Sequence, residues 1–258
     1  RHEHITPDVN LWFVATSREE GLGDLGGMKA TFSRLAKEVG GVINIEGLAL
    51  GHVYNAGIAV RRLRITAQSE GGHSWLHFGR TSAIHALMAL GTKICTIHPP
   101  EAPRTTYNIG IISGGTTINS IAPRADFWLD LRSESADQLA RLEAQVRDYV
   151  ASSAAEDLTF GIEIVGDRPA GSISPQHPLV EQALDTLRTL GITPTLETGS
   201  TDANIPLSQG CPAVTIGITR GGNAHRTDEH IETEPIELGL KQLILLTLTH
   251  AQHTAGVG

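Results

Sequence analysis

Acidic residues follow two apolar segments near the start of the chain. Glu19 and Glu20 come just after the apolar run 9–16, and Glu46 ends a second run that starts at Val42. Two adjacent carboxylates repel each other, whereas a bound cation would relieve that repulsion and leave one carboxylate as a base. Most Glu-Glu pairs are simply solvated loops, so the pair alone leaves both interpretations open.

A histidine near the other end of the chain completes a candidate ligand set. His225 follows a predicted buried strand, 213–218, in a loop whose glycines let the backbone approach a ligand closely. A lone histidine in such a loop is more often structural or exposed. Three carboxylates and an imidazole together suit zinc, manganese or cobalt, because these ions accept mixed oxygen and nitrogen ligands.

The elements that must position these residues begin as a parallel α/β layer. The apolar run 9–16 predicts a buried strand, the periodicity of 28–39 predicts a helix, and 42–45 predicts a second strand that ends at Glu46. In parallel α/β layers ligands bind at the carboxyl ends of the strands. Both acidic loops are expected at those ends.

From residue 58 the pattern changes to an alternating α+β module. The order strand, helix, strand, strand, helix, strand is typical of a ferredoxin-like fold. The predicted strands are 58–66, 107–112, 127–131 and 160–165, and the predicted helices are 81–94 and 137–150. Three prolines make 167–178 a predicted linker, followed by helices over 179–190 and from 235 to about 250.

This order predicts one α/β domain interrupted by an inserted α+β domain. The expected boundaries are 1–56 and 167–258 for the two parts of the α/β domain and 57–166 for the insert. A chain of 258 residues with 40% hydrophobic residues is long enough for both cores.

Five segments of the chain resemble, in order, the motifs of one enzyme family. VNLWFVATSREEGLGDLGGM (9–28) is similar to the Glu-Glu segment of the M20 metallopeptidases, the group of aminoacylases, acetylornithine deacetylases and glutamate carboxypeptidases. The other four segments are GGHSW (71–75), GGTTINSIAPRADFWLDLR (114–132), GSTDANIP (199–206) and GGNAHRTDEHIE (221–232).

The resemblance implies a fold and a metal centre. The fold would be a zinc-peptidase-like α/β catalytic domain interrupted by a ferredoxin-like dimerisation, or lid, domain. Glu19 would be the general base, Glu20 a metal ligand, Glu46 a carboxylate of the second metal and His225 a terminal imidazole ligand. The cofactor would be two Zn²⁺ ions per complete site, with Co²⁺ or Mn²⁺ as alternatives.

The resemblance also assigns three residues of the insert. His73 would reach from one subunit into the site of its partner and steady the oxyanion, and Asn119 and Arg132 would bind the carboxylate of the substrate. Each has a plainer interpretation: His73 as a turn residue, Asn119 as a turn former, and Arg132 as an ion-pair partner of Asp130.

The implied function is metal-dependent hydrolysis of an amide or peptide bond in a small carboxylate-bearing substrate, an N-acyl amino acid or a dipeptide, by a homodimer joined through the lid domain. A serine hydrolase using Ser200, Asp202 and His225 is an alternative, although the second glycine of a nucleophile elbow is missing after Ser200. A non-catalytic dimerising fragment is another.

The chain departs from the family at its beginning. Family members carry a His-x-Asp motif and a metal-bridging aspartate upstream of the Glu-Glu pair, and nothing in residues 1–8 fits them. His2 and His4 lie too close to the predicted strand and are expected to be exposed. We therefore expect an N-terminally truncated member with four of the six metal-site residues, which would bind metal weakly by itself.

Composition excludes several other functions. A net charge of -8 argues against nucleic-acid binding, and no apolar stretch approaches the ~20 residues of a membrane span. Cys95 and Cys211 form no spacing motif, which is compatible with a reducing compartment, and no signal peptide is visible. These features predict a cytoplasmic protein, and the resemblance implies a small-molecule substrate.

Overall fold

The computed structural model describes Pro7 and residues 9–255. The chain forms two compact units, Arg1–Gly57 with Ala170–Gly258, and Ile58–Pro169. The helices are α1 (Gly26–Leu35), α2 (Ala83–Ile94), α3 (Ala136–Ser153), α4 (Pro178–Thr189), α5 (Asn204–Ser208) and α6 (Ile236–Ala255). The strands are β1 (Val42–Glu46), β2 (His52–Gly57), β3 (Ala59–Ser69), β4 (Gly72–His73), β5 (Thr105–Gly114), β6 (Ser120–Ile121), β7 (Arg124–Ser133), β8 (Leu158–Arg168), β9 (Gly171–Ser172), β10 (Thr195–Gly199), β11 (Ala213–Gly217), β12 (Gly221–Gly222) and β13 (His230–Ile231).

The first unit contains a mixed sheet in the order β1-β11-β2-β10, with β9 paired to β2. Strands β1 and β11 are parallel, as are β10 and β2, but β11 and β2 are antiparallel. The prediction of a purely parallel layer is therefore wrong. Only residues 47–51 separate β1 from β2, and a parallel connection needs a crossover of about a dozen residues or more, so the chain reverses direction here.

The two faces of this sheet have different neighbours. Val214 and Ile216 on β11 pack with buried leucines of α4 and α6. Thr215 points to the opposite face beside Asn44, because side chains alternate along a strand. On this second face Val42 packs against residues of α1 and α5. The candidate metal carboxylate Glu46 lies two residues beyond Asn44 and shares its face.

The second unit is the predicted ferredoxin-like module. Its four main strands are antiparallel in the order β5-β7-β3-β8, and α2 and α3 cover one face. The alternation in β3 buries Leu63 and Ile65 completely, while the neighbouring Arg62 and Arg64 point to the opposite face. The expected fold class, an α/β domain with an α+β insert, is confirmed.

Three local predictions are wrong. Segment 9–16 is not a strand: it forms no regular structure over 10–16, and Phe13 is 92% exposed. Apolar residues favour burial, but a segment forms a buried strand only where other elements pair with it and cover it. The predicted linker 167–178 contains the end of β8 and the strand β9, and helix α1 ends at Leu35, before the predicted residue 39.

Helix α6, with 20 residues, is the longest in the described chain. Of the helices in residues 9–255, none combines the length and the hydropathy that a bilayer crossing requires.

Candidate functional site

Glu46 at the end of β1 lies among other carboxylates. Burial raises its pKa most, and the negative charges of Glu19, Glu20 and Asp202 raise the same pKa further. A hydrogen bond from the Asn44 amide to Glu46 Oε1, at 3.4 Å, acts in the opposite direction. The charges of Glu19, Glu20 and Asp202 thus act on Glu46, and Asp202 is a carboxylate that the sequence did not predict for this site.

The loop that carries Glu19 and Glu20 has an unusual backbone. Arg18, Asp24 and Leu25 have φ angles of 64°, 56° and 58°, in the left-handed region that side chains other than glycine rarely adopt. Such residues cost about 1–3 kcal/mol each and cluster at functional sites when the surrounding structure holds them in place. Three within eight residues of the chain mark this loop as a candidate site.

Close packing against α1 holds the loop in place. The Gly27 amide donates a hydrogen bond to the Ser17 carbonyl over 2.9 Å. A Cβ atom at residue 27 would come within 2.2 Å of that oxygen, so only glycine fits here. The apolar segment thus ends in a fixed turn that begins two residues before Glu19.

Asp202 was not predicted as a metal-site residue. It is 3% exposed and its Oδ2 accepts a hydrogen bond of 2.5 Å from the Thr16 hydroxyl. From the sequence, Asp202 was a candidate only for the alternative serine triad. The sequence signal for Asp202 is its position in GSTDANIP, one of the five segments that resemble family motifs. A carboxylate within such a motif is a candidate functional residue as well as a solvated one.

His225 is held by a contact within its own loop. It occupies the exposed loop between β12 and β13 with a φ of 64°, and its backbone amide donates to Glu229 Oε2 at 3.0 Å. Its role as a metal ligand stays a prediction.

The chemistry of the acidic group suits a divalent cation, although a finished ligand set is not formed. A bound cation would reduce the repulsion between Glu46 and the carboxylates that raise its pKa. Within residues 9–255, no three His, Cys, Asp or Glu side chains lie close enough to hold one metal ion. His2 and His4 lie outside the described residues.

His73 and Asn119 are neighbours in the second unit. His73 on β4 pairs with Ser120 on β6, and the Asn119 carbonyl accepts a hydrogen bond from the Ser74 amide over 3.0 Å. His73 Nδ1 accepts from the amides of Trp75 and Leu76, at 3.1 and 3.4 Å. A neutral imidazole that accepts at Nδ1 carries its proton on Nε2, so Nε2 is the donor that His73 presents.

Arg132 lies at the other end of the same sheet. It pairs with Val60 near the point where the chain enters this unit, whereas Arg124, at the end nearest to β6, lies eight residues earlier on β7. At about 3.3 Å per residue, this separation is on the order of 25 Å. Arg132 Nε donates to Asp130 Oδ2 over 2.6 Å, so the ion pair weighed in the sequence analysis is present.

A family model for a peptidase dimerisation domain matches residues 60–158, most of the second unit. No curated protein matches the chain. The match identifies the module by sequence as well as by topology.

Several solved structures share the fold of both units. An aminopeptidase PepT from Bacillus cereus matches with a TM-score of 0.70 and 20% identity over 90% of this chain and 62% of that chain. A tripeptidase from Staphylococcus aureus matches with a TM-score of 0.75 and 20% identity over 89% of this chain and 61% of that chain. An amidase of the hydantoinase/carbamoylase family from Burkholderia vietnamiensis matches with a TM-score of 0.69 and 18% identity over 86% and 59%.

At these identities the likeness establishes the fold. The chain spans about three fifths of the length of each of these structures. The fold comprises a sheet domain interrupted by a dimerisation domain, as expected from the sequence.

Proposed function

We propose, from the premise that this chain carries the dimerisation domain and the fold of the M20 peptidases and amidohydrolases, that it acts in a metal-dependent hydrolase. The reaction is cleavage of an amide or peptide bond in a small substrate with a free carboxylate, such as an N-acyl amino acid or a dipeptide. Structures with the same fold include an aminopeptidase, a tripeptidase and an amidase, which act on bonds of this class.

The observation that carries this proposal is the group of Glu19, Glu20, Asp202 and Glu46. Burial raises the pKa of Glu46 most, and the negative charges of the other three raise it further; a bound cation would relieve that repulsion. Two zinc ions, or cobalt or manganese, are the cations that Glu20, Glu46 and His225 are proposed to bind. Divalent ions of this kind supply Lewis acidity and an acidified water molecule.

Glu19 is the proposed general base. It lies beside Glu20 in a turn fixed by the Gly27 contact, which limits its movement relative to a ligand held by its neighbour. In this role Glu19 takes a proton from the attacking water and passes it to the leaving amine. A positioned base of this kind contributes roughly 10²–10⁴-fold to a rate.

His73 and Asn119 provide hydrogen-bond donors at the far end of the second unit. Because the Nδ1 atom of His73 already accepts two backbone amides, its Nε2–H group is the proposed donor to the oxyanion. Arg132 is the proposed partner of the substrate carboxylate. Its Nε is held by Asp130, and the remaining guanidinium nitrogens point in a direction set by that ion pair.

The separation of these residues supports a homodimer. A dipeptide is far shorter than the distance of about 25 Å along β7, so one substrate meets both Arg132 and His73 only if they come from different subunits. Strand β5 is an edge of the sheet with Ile111 and Ile112 exposed, and Met88 on α2 is exposed as well. An apolar sheet edge of this kind is suited to pairing with a second copy.

A non-catalytic dimerising protein is the second candidate. It is favoured by one observation, that no three potential ligands lie close enough to hold an ion in the described part of the chain. The two candidates differ in metal content and in turnover.

Metal analysis of the full-length protein tests the proposal. We expect about two zinc ions per chain, hydrolysis of N-acetyl amino acids or dipeptides, loss of turnover with a chelator, and recovery with Zn²⁺ or Co²⁺. A folded protein without bound metal that hydrolyses none of these substrates would favour the non-catalytic candidate. Turnover that persists with a chelator would favour the serine hydrolase.

A further inference from the structure

Two separate sets of hydrogen bonds connect the segments that carry the candidate metal carboxylates to one short turn. The first set starts at the loop with Glu19 and Glu20. Thr16, three residues before Glu19, donates its hydroxyl to Asp202 Oδ2 over 2.5 Å. Asp202 is almost completely buried, and a buried carboxylate is stable only when hydrogen bonds compensate its desolvation, so this contact has a defined geometry.

The second set starts at Glu46. The Asn44 amide group lies 3.4 Å from Glu46 Oε1 and 3.3 Å from the Thr215 hydroxyl. The Thr215 hydroxyl in turn lies 2.9 Å from that of Thr201. Thr215 is completely buried in the central strand β11, so it cannot exchange this partner for water.

Both sets end at adjacent residues, Thr201 and Asp202. The turn that contains them is itself held by Asn204, whose side chain accepts from the Thr201 amide over 3.0 Å and whose amide donates to the Thr201 carbonyl over 3.0 Å. Asn204 is fully buried and packs directly against Gly57, where a Cβ atom would lie 2.6 Å from the Asn204 side chain. The turn is therefore a rigid support.

We propose that the Thr201–Asp202 turn is the common positioning element of the candidate metal site. Asp202 orients the segment with Glu19 and Glu20 through Thr16, and Thr201 orients Glu46 through Thr215 and Asn44. The inference rests on the proposed function in that the positioned groups are the metal carboxylates. Contacts to residues behind a metal ligand typically change metal affinity by about 10–100-fold.

The test compares metal affinity and local protection in variants of the full-length protein. Thr16→Val removes the hydroxyl with little change in shape, Asp202→Ala removes the acceptor, and Asp202→Asn keeps an acceptor oxygen. Thr186→Val is the control for the same substitution, because Thr186 is buried and its hydroxyl bonds within α4 to the Gln182 carbonyl, whereas Thr16 is partly buried. Zn²⁺ affinity is measured by competition with a chromophoric chelator.

We expect Thr16→Val and Asp202→Ala each to weaken Zn²⁺ binding by about 10–100-fold, and the double variant to be no weaker than the more affected single variant. Asp202→Asn should retain most of the affinity, and Thr186→Val should match the unaltered protein. A loss in Asp202→Ala and Asp202→Asn without a loss in Thr16→Val would overturn the inference, because Asp202 would then act by its charge.

Hydrogen exchange separates this inference from the proposed function. If the protein binds no zinc, the function fails, but the positioning contact is still measured as amide exchange over residues 16–20. Faster exchange there in Thr16→Val, with no change in Thr186→Val, supports the contact; unchanged exchange overturns it. If zinc binds and Thr16→Val alters neither affinity nor exchange, the function stands and the inference fails.

Discussion

Asp126 in the second unit and Glu46 in the first are both carboxylates on strands, but the charges around them have opposite signs. A hydrogen bond from Arg64 at 2.9 Å is the main cause that lowers the pKa of Asp126, and Trp128 and Ser113 also donate to it. Burial and three other carboxylates raise the pKa of Glu46.

The contrast separates two uses of charge. Pairs such as Arg64–Asp126 and Arg62–Asp130 place opposite charges side by side on one sheet face. The acidic group around Glu46 is repulsive, and repulsion that a fold retains points to a ligand. Charge density alone would not distinguish the two regions, whereas the balance of signs does.

The largest expected effect is on turnover. Glu19→Gln should lower kcat by roughly 10²–10⁴-fold because it removes the proposed base, while Asp126→Asn should leave kcat close to its original value. Steady-state kinetics with zinc analysis of both variants makes the comparison. Loss of zinc together with activity in Glu19→Gln would move Glu19 from base to ligand.

The next effect concerns the division of residues between subunits. Mixing His73→Ala with Glu19→Gln protein should restore up to about a quarter of normal activity, since random exchange makes half of the dimers mixed and each mixed dimer has one complete site. Activity is measured after exchange has been verified with two affinity tags. Absence of recovery in proven mixed dimers would place His73 and Glu19 in the same subunit.

A smaller effect is expected on the stability of the second unit. Asp126→Asn should lower the free energy of unfolding at pH 7 by about 1 kcal/mol, at the low end for a charged hydrogen bond because Arg64 is partly exposed. Since the folded-state pKa of Asp126 lies below its usual value of 3.8, this stabilisation is present above pH 3.8 and is lost as pH falls through the folded-state pKa. Urea unfolding at several pH values measures the loss.

The smallest effect has the opposite sign. Without metal, Glu46→Gln should stabilise the protein at pH 7 by less than about 1 kcal/mol, because it removes a carboxylate that the fold penalises. Because the folded-state pKa is raised, this gain is largest at neutral pH, falls as pH drops through the folded-state pKa, and is absent below pH 4.5, where Glu46 is protonated in both states. Destabilisation in chelator-treated protein would break the contrast with Asp126.

Much of the second unit could be predicted from sequence, because each strand carries a regular alternation. In β3 the buried Leu63 and Ile65 alternate with Arg62 and Arg64, and that pattern fixes both the strand and its two faces. In the first unit, β2 and β10 went unpredicted, since HVYNAG and TLETG mix polar and small residues with few large apolar ones. Their strand conformation depends on neighbours from distant parts of the chain.

The acidic group was predictable in part for a related reason. The position of Glu46 follows from the end of a clear strand, which β1 confirms. The contribution of Asp202 depends on how the turn before α5 meets Thr16, 186 positions away in the sequence, and local residue spacing does not reveal such a contact.

The register of β3 with β7 constrains how the second unit can change in length. Ten consecutive residue pairs run from Ala59–Ser133 to Gln68–Arg124 without interruption. Inserting a single residue in each strand would turn every arginine of the outer face into the helix-covered core, whereas inserting two would restore the faces. Strands β3 and β7 can therefore lengthen or shorten only by two residues at a time, or about 7 Å. The distance from the start of β3 to His73, which follows that strand, would change in steps of the same size.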